Sequence, residues 1–109
     1  MHVQVVNFNL KDATEEAYCE MCDQLAPTFA AMPGLVAKYW LADRATNTYG
    51  GVYIWENRAA MEGYTGGEVW AAVGANPHLA NITARDYGIL DEPTQVTRGL
   101  TEAATATIR

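Results

Sequence analysis

The amino-acid sequence predicts an α+β, ferredoxin-like domain whose four-stranded sheet carries its helices on one face. The periodicities of the apolar residues follow the order strand, helix, strand, strand, helix, strand, which is the split βαβ order βαββαβ. The chain has 109 residues, of which 50% are hydrophobic and 18% charged, as in one folded domain. Its strands are apolar on both faces, although the helices of such a domain cover only one. We therefore expect a second copy of the chain to cover the other face.

The first half of the domain begins with an alternating stretch, residues 2–10, which predicts strand one. Asp12 followed by Glu15 matches a capping box that would open a helix. Apolar residues at steps of three and four, from Tyr18 to Met32, give that helix one buried side. Pro27 falls within the pattern and should kink or shorten the helix, which Pro33-Gly34 then ends.

The second half starts with two apolar stretches, residues 35–42 and 48–55, whose short polar connection predicts an antiparallel hairpin. Residues 58–64 and 67–75 then read as two short helices, with Asn57 or Thr65 as a possible cap. Strand four covers about residues 79–90, and its imperfect alternation indicates a bulge or burial on both sides. We place the domain at residues 1–93 and a C-terminal tail, or a dimer-swapped arm, at residues 94–109.

The third strand, TYGGVYIW, is apolar on both faces and contains two glycines. Alternation puts Gly51 on the same face as Tyr49, Tyr53 and Trp55. The missing side chain leaves a notch, and glycine within a strand often marks the close approach of a ligand or another backbone. Either a substrate or a side chain of the second copy could fill it, and we favour the second copy.

Charge and composition exclude several classes of function. The net charge of −6 and seven scattered basic residues argue against nucleic-acid binding. No apolar run approaches the roughly 20 residues of a membrane span, and the N-terminus lacks the features of a signal peptide, so we expect a cytoplasmic protein without a membrane partner. Cys19 and Cys22 lie within a helical stretch without a second cysteine pair, which favours two reduced thiols over a redox or metal motif.

Four segments resemble the YdhR-type monooxygenases over roughly residues 3–95. They are Pro33-Gly34-Leu35, Lys38-Tyr39-Trp40 and the double glycine of GGVYIW, together with Asp91-Glu92-Pro93 after strand four. The resemblance implies a homodimeric α/β barrel, the architecture that antibiotic-biosynthesis monooxygenases and haem-degrading monooxygenases share. It implies the reaction less firmly, because one barrel hosts several chemistries.

The resemblance implies a cofactor-independent monooxygenase that acts on a small aromatic or polyketide-like substrate with molecular oxygen. Such chemistry needs a dry, aromatic-walled pocket and a few polar groups that deprotonate or polarise the substrate. The deprotonated substrate can itself pass an electron to oxygen, so we expect neither a cofactor nor a metal. The sequence fits in outline, since it contains six Tyr and three Trp and lacks the glycine motifs of nucleotide-binding folds.

Two polar residues are the candidate catalytic groups. His78 follows Asn76-Pro77 between the second helical region and strand four, and a histidine there could act as acid or base or could simply be a surface residue. Asn7 is a polar residue on an otherwise apolar strand, so its amide is either satisfied in the core or directed at a ligand.

Six further residues are candidate substrate-binding groups. Five are aromatic residues that could wall a pocket or simply pack in the core, and Arg85 could pair with an anionic substrate group or with Asp86 or Glu56. The aromatic residues are Trp40, Tyr53, Trp55, Tyr64 and Trp70.

Asn7, Trp70 and His78 also resemble, in order, the Asn, Trp and His of haem-degrading relatives, which leaves haem degradation as an alternative. A polyketide cyclase or isomerase using His78, and a barrel that binds a small molecule without catalysis, are further alternatives.

Overall fold

The computed structural model describes residues 1–99 and confirms the predicted fold class, with an additional short helix near the C-terminus. The elements are β1 (His2–Leu10), α1 (Glu15–Ala30), β2 (Leu35–Asp43), β3 (Thr48–Trp55), α2 (Arg58–Thr65), α3 (Glu68–Ala75), β4 (Leu79–Gly88) and α4 (Asp91–Val96). The four strands form one antiparallel sheet in the order β2-β3-β1-β4.

The two sides of the sheet differ in what covers them. Gln4, Val6 and Phe8 of β1 belong to the side packed against α1, α2 and α3, which we call the helix-facing side. Residues paired across the strands share a side, so the register assigns the rest of the sheet. The opposite side, which we call the open side, carries Val3, Val5, Asn7, Ala37, Tyr39, Leu41, Val52, Ile54, Thr83, Arg85 and Tyr87.

The core lies between the helix-facing side and the helices, and it includes the buried amide of Gln4. Trp55 is 0% exposed and its indole Nε1–H donates to Oε1 of Gln4 over 3.2 Å, while Gln4 itself is 2% exposed. The hydrogen bond satisfies two polar groups that would be costly to bury alone.

Glycine occurs at two positions of β3 for different structural reasons. Gly50 has φ of +145°, and a Cβ there would lie 1.9 Å from the carbonyl oxygen of Val6 on the neighbouring strand. Gly51 is on the helix-facing side with Tyr49, Tyr53 and Trp55, as the alternation predicted. The expectation that a second copy fills its notch was wrong, because that side is covered by the chain's own helices and Lys38 lies in the notch.

The caps of α1 and α2, and the course of α1 past Pro27, can be compared with the predictions. Thr14, not Asp12, caps α1 by accepting from the backbone N–H of Ala17 over 3.1 Å, and Asp12 has a positive φ of 52°. Pro27 lies inside α1, which continues to Ala30. Asn57 caps α2 as proposed, since its Oδ1 accepts from the N–H of Ala60 over 2.9 Å.

The irregularities of the sheet include the predicted bulge in β4. The β1–β4 register shifts between Asn7 and Asn9, opposite Asn81, whose φ is +54°. After β4 the chain forms α4, which crosses the proposed domain boundary at residue 93. Residues 100–109 lie outside the described residues, so the dimer-swapped arm stays a prediction. In residues 1–99, no helix combines the length and the apolarity that crossing a bilayer demands.

Candidate functional site

A cluster of aromatic side chains fills the space between the sheet and the helices, with Tyr64 of α2 at its centre. The Tyr64 ring lies 5.6 Å from Phe29, 5.3 Å from Tyr53, 5.5 Å from Trp55 and 5.6 Å from Trp70, measured between ring centroids. These separations fall within the range of favourable ring–ring contacts. One connected aromatic wall thus runs from α3 across the sheet to α1.

Two phenol groups meet inside this cluster. The hydroxyl oxygens of Tyr53 and Tyr64 lie 3.3 Å apart, within hydrogen-bond distance. Burial raises the pKa of both hydroxyls above that of an ordinary tyrosine. Both phenols are therefore neutral at physiological pH and provide a hydroxyl pair, not a negative charge.

Lys38 of β2 places its amine among the rings at the α1 end of the cluster. Its Nζ lies 3.4 Å from the ring centroid of Phe29, 3.4 Å from that of Trp40 and 4.6 Å from that of Tyr53. None of the ion pairs among residues 1–99 involves Lys38. A lysine placed among aromatic rings without a carboxylate partner is uncommon, because a buried charge is costly unless it is paired.

Burial lowers the pKa of the Lys38 amine to about 7. The cation–π contacts with Phe29 and Trp40 act in the opposite direction, since they favour the charged form. At neutral pH the amine is thus divided between its neutral and its protonated form. Groups with this property concentrate at functional sites.

The titratable groups facing Lys38 are themselves uncharged. Burial is the main cause that raises the pKa of the Cys22 thiol and of the Tyr18 hydroxyl on α1. Tyr53 on β3 and Tyr64 on α2 are neutral for the same reason. Lys38 is therefore the one basic group of this region within residues 1–99.

Two spaces adjoin Lys38, which lines both. The first is an interior cavity of about 30 Å³ between the sheet, α1 and α3, enough for about one water molecule. The second is a surface groove of about 320 Å³ between α1 and β2, which we call the Lys38 groove. Neither space has an Asp or Glu in its lining. The groove is lined by Ala26, Phe29, Ala30, Leu35, Val36, Ala37, Lys38 and Trp40.

A larger cleft of about 550 Å³ opens beside α2 and α3, and we call it the α2–α3 cleft. Trp55 and Tyr64 contribute to its wall, so the cleft and the groove lie along the same aromatic cluster. Its polar groups are acidic or already engaged. Glu56 and Glu68 line it, and Asn57 uses its side chain to cap α2.

The structure brings five of the eight predicted site residues together. Tyr53, Trp55, Tyr64 and Trp70 belong to the cluster directly. Trp40 joins it through Phe29, whose ring centroid lies 5.5 Å away.

The other three predicted residues lie elsewhere. Asn7 and Arg85 are on the open side of the sheet, with the Asn7 amide donating to the carbonyl of Tyr49 over 3.5 Å. His78 is exposed, and its Nδ1 lies 2.9 Å from the carbonyl oxygen of Lys11. It borders a separate hollow of about 110 Å³. The Asn7, Trp70 and His78 set that resembled haem-degrading relatives therefore does not surround one space.

Lys38 is the residue that sequence reasoning missed. It stands in the middle of an apolar strand, where alternation puts it on the same face as Trp40, and that position is the signal that could have found it. A lysine in a strand usually reaches solvent with its long side chain, so the pattern alone did not indicate burial.

Within residues 1–99, no cluster of three or more His, Cys, Asp or Glu side chains is arranged to hold a metal ion.

Comparison with known proteins places the chain within a family. The family described as "Putative mono-oxygenase ydhR" matches residues 3–100. Among curated proteins, none matches the chain.

Solved structures share the fold at low sequence identity. A protein of unknown function from Nitrosomonas europaea, NE2512, is 21% identical with a TM-score of 0.70, over 82% of this chain and 88% of that one. SnoaB, a cofactor-independent oxygenase from Streptomyces nogalater, is 20% identical with a TM-score of 0.65, over 82% and 93%. The heme-degrader MhuD from Mycobacterium tuberculosis, with two hemes bound in its active site, is 17% identical with a TM-score of 0.66, over 83% and 96%.

Proposed function

Since this chain belongs to the family described as "Putative mono-oxygenase ydhR", we propose that it oxidises a small aromatic or polyketide-like substrate with molecular oxygen, without a bound cofactor. SnoaB, a cofactor-independent oxygenase, has the same fold, and this supports the proposal at the level of architecture. The alternatives on this fold, a cyclase or isomerase, a haem-degrading enzyme and a binding protein, are outcomes of the tests below.

The observation that carries the proposal is the Lys38 groove. It combines an aromatic floor, an apolar lining and one basic group, and it has no acidic side chain in its lining. Its volume of about 320 Å³ is within the range of small-ligand sites. Such a space suits a planar apolar molecule that must acquire negative charge in order to react.

The chemistry takes its electrons from the substrate. Anthrone is a suitable model through its enol tautomer, anthrol, which carries a hydroxyl group, and one molecule of it and one of oxygen give anthraquinone and water. Loss of a proton from the substrate produces an electron-rich anion, which passes an electron to oxygen. The protein would contribute the removal of the proton, the positioning of the substrate and the exclusion of water.

Electrostatics favours the Lys38 groove over the larger α2–α3 cleft. An anionic substrate in the cleft would lie near the carboxylates of Glu56 and Glu68, and like charges disfavour ionisation. In the groove it would lie near the amine of Lys38. We therefore place the reaction in the groove and assign the cleft no role in it.

A homodimer is the second part of the proposal. The open side of the sheet presents a row of apolar residues that includes Val3, Val5 and Val52, and Tyr39 and Tyr87 are 51% and 54% exposed on it. A second copy packed sheet to sheet would bury this surface, and each large apolar side chain buried gains about 1.5–3 kcal/mol.

Oxygen consumption with anthrone tests the reaction, and two cavity-filling variants test its place. Ala30→Leu narrows the Lys38 groove, whereas Gly63→Leu narrows the α2–α3 cleft, where a Cβ on Gly63 meets nothing within 4 Å. We expect Ala30→Leu to lower kcat/KM at least about tenfold and Gly63→Leu to leave it within about twofold. The reverse pattern would move the site to the cleft.

The alternatives predict different results. Product formed equally well under argon would indicate a cyclase or isomerase. A Soret band upon addition of haem that is lost in His78→Ala would indicate haem binding. Quenching of Trp fluorescence by anthrone, without oxygen consumption, would indicate a binding protein. Any of these three results would contradict the proposed reaction.

A further inference from the structure

The amine of Lys38 has the position and the surroundings of a proton acceptor. We propose that Lys38 takes the proton from an acidic hydroxyl group of the substrate and then holds the oxyanion, so that the substrate class is a planar phenol or enol. This inference rests on the proposed function, since it assigns the first step of that reaction to one residue. In this step the O–H bond of the substrate breaks and its electron pair stays on oxygen. The proton forms a new N–H bond on the amine, which becomes an ammonium group.

The contacts of Lys38 leave the amine available for this role. Its Nζ lies over ring faces, at 3.4 Å from the centroids of Phe29 and Trp40, and it belongs to none of the ion pairs within residues 1–99. A lysine engaged with a carboxylate would be held in its charged form and could not accept a proton. Here the facing groups, Cys22 and Tyr18 of α1 and Tyr53 of β3, are neutral and supply no competing charge.

The same surroundings explain why an oxyanion would be held. An ammonium group among apolar rings lacks a counter-ion, and an ion pair in such surroundings is stronger than in water. A phenolate or enolate would provide the missing charge, and its flat face could stack on Trp40. A neutral hydrocarbon would fit the lining but would give the amine nothing to bind.

Lys38 lines the Lys38 groove as well as the interior cavity. We place the ligand in the groove, with its hydroxyl group directed at the amine and the apolar side chains of α1 and β2 on either side of it. The interior cavity of about 30 Å³ is too small for the ligand.

The probe is 3-nitrophenol, which is yellow when ionised and cannot undergo the proposed oxidation. The pKa of the Lys38 amine is about 7, and the pKa of the probe is higher. At a pH between the two values, free probe and free amine are both mostly neutral. We expect wild-type protein to turn the bound probe yellow. Lys38→Met should abolish the colour, and Gly63→Leu, which alters only the α2–α3 cleft, should retain it.

Lys38→Arg separates proton acceptance from simple attraction. An arginine keeps the charge but cannot take a proton, so any ionised probe must release its proton to the buffer. Calorimetric titrations in two buffers of different ionisation enthalpy measure that release. We expect little net proton release with wild-type protein and about one proton per bound probe with Lys38→Arg. Release of a full proton by wild-type protein would show that Lys38 attracts the anion without accepting the proton, and would overturn the inference.

The oxygen-consumption assay and the probe experiment distinguish a failure of this inference from a failure of the proposed function. If wild-type protein consumes oxygen with anthrone but does not ionise the probe, the inference is wrong and the oxygenase stands. If the probe is ionised in a Lys38-dependent way but no substrate consumes oxygen, the proton-accepting site stands and the proposed reaction is wrong.

Discussion

The side chain of Lys38 lies directly over Gly51 on the neighbouring strand. A Cβ on Gly51 would come within 3.0 Å of Cε of Lys38, 3.2 Å of the carbonyl oxygen of Tyr39 and 3.3 Å of Cε1 of Tyr53. Lys38 is paired with Tyr53, and Trp40 with Gly51, so these four residues form one patch of the helix-facing side. The absence of a side chain at Gly51 is what lets the amine lie among the rings.

Gly51→Ala should displace Lys38 and loosen the packing around it. The Tyr39 carbonyl is backbone and cannot move without disturbing the β2–β3 pairing, so we expect a loss of about 1–3 kcal/mol in the free energy of unfolding. Gly74→Ala is the matched control, because a Cβ there meets nothing within 4 Å and alanine favours the helix by about 0.5–1 kcal/mol. Urea denaturation of both variants measures the difference. A Gly51→Ala protein as stable as wild type would show that the side chains around Gly51 accommodate a methyl group without loss of packing.

Stability should rise with pH because of Lys38. Below about pH 7 the amine is protonated in both the folded and the unfolded chain, and the folded state bears the cost of the buried charge. Between that pH and the ordinary lysine pKa of 10.5, the unfolded chain binds more protons, so the unfolding free energy increases with pH.

Lys38→Met should remove this slope and raise stability at pH 6 by about 1 kcal/mol or more. Lys11→Met, at an exposed lysine, is the control and should keep the slope. Urea denaturation curves between pH 6 and pH 10 provide the measurement. Equal slopes in wild type and Lys38→Met would mean that the amine titrates normally.

The hydrogen bond between Gln4 and Trp55 should be a strong contributor to stability. Gln4→Leu leaves the buried indole N–H without a partner, and we expect a loss of about 1–3 kcal/mol. Adding Trp55→Phe removes the donor as well, so Gln4→Leu should cost less in that background than in wild type. A double-mutant cycle from thermal or urea unfolding measures the coupling. A coupling of zero would contradict the role given to this bond.

If the protein is a homodimer as proposed, a charge introduced on the open side of the sheet should separate the two subunits. Val52→Glu places a charge among apolar residues of β3, so we expect it to convert a dimer into monomers in sedimentation velocity. Ala72→Glu, on the exposed surface of α3, adds the same charge on the helix side and should leave the dimer intact. A wild-type protein that sediments as a monomer at micromolar concentration would rule out the stable dimer.

The sequence predicted the elements of the fold well, because their periodicities and turn residues are strong. It also placed Tyr49, Gly51, Tyr53 and Trp55 on one side of β3, which is what brings the aromatic cluster together. It could not say which side of β1 faces the helices. Valine occurs on both sides of that strand, and the buried side carries the polar Gln4, whose partner Trp55 is 51 positions away along the chain.

The candidate site was predictable only in part, because the sequence does not say which side of a strand faces the helices. The assignment of Asn7 to a common site with His78 required a choice of side that alternation alone does not make. The structure put Asn7 on the open side. The half-buried position of Lys38 depends on Gly51 and on rings from α1 and β2, and no local pattern encodes that combination.

The position of Pro27 within α1 has a consequence for the Lys38 groove. Proline has no N–H, so the carbonyl of Asp23 does not receive the bond that would join it to residue 27. The two turns that flank this gap carry Ala26, Phe29 and Ala30, which form the α1 wall of the groove. A helix bends at lower energetic cost where one of its backbone hydrogen bonds is missing. The α1 wall of the groove therefore lies where the helix lacks a backbone hydrogen bond.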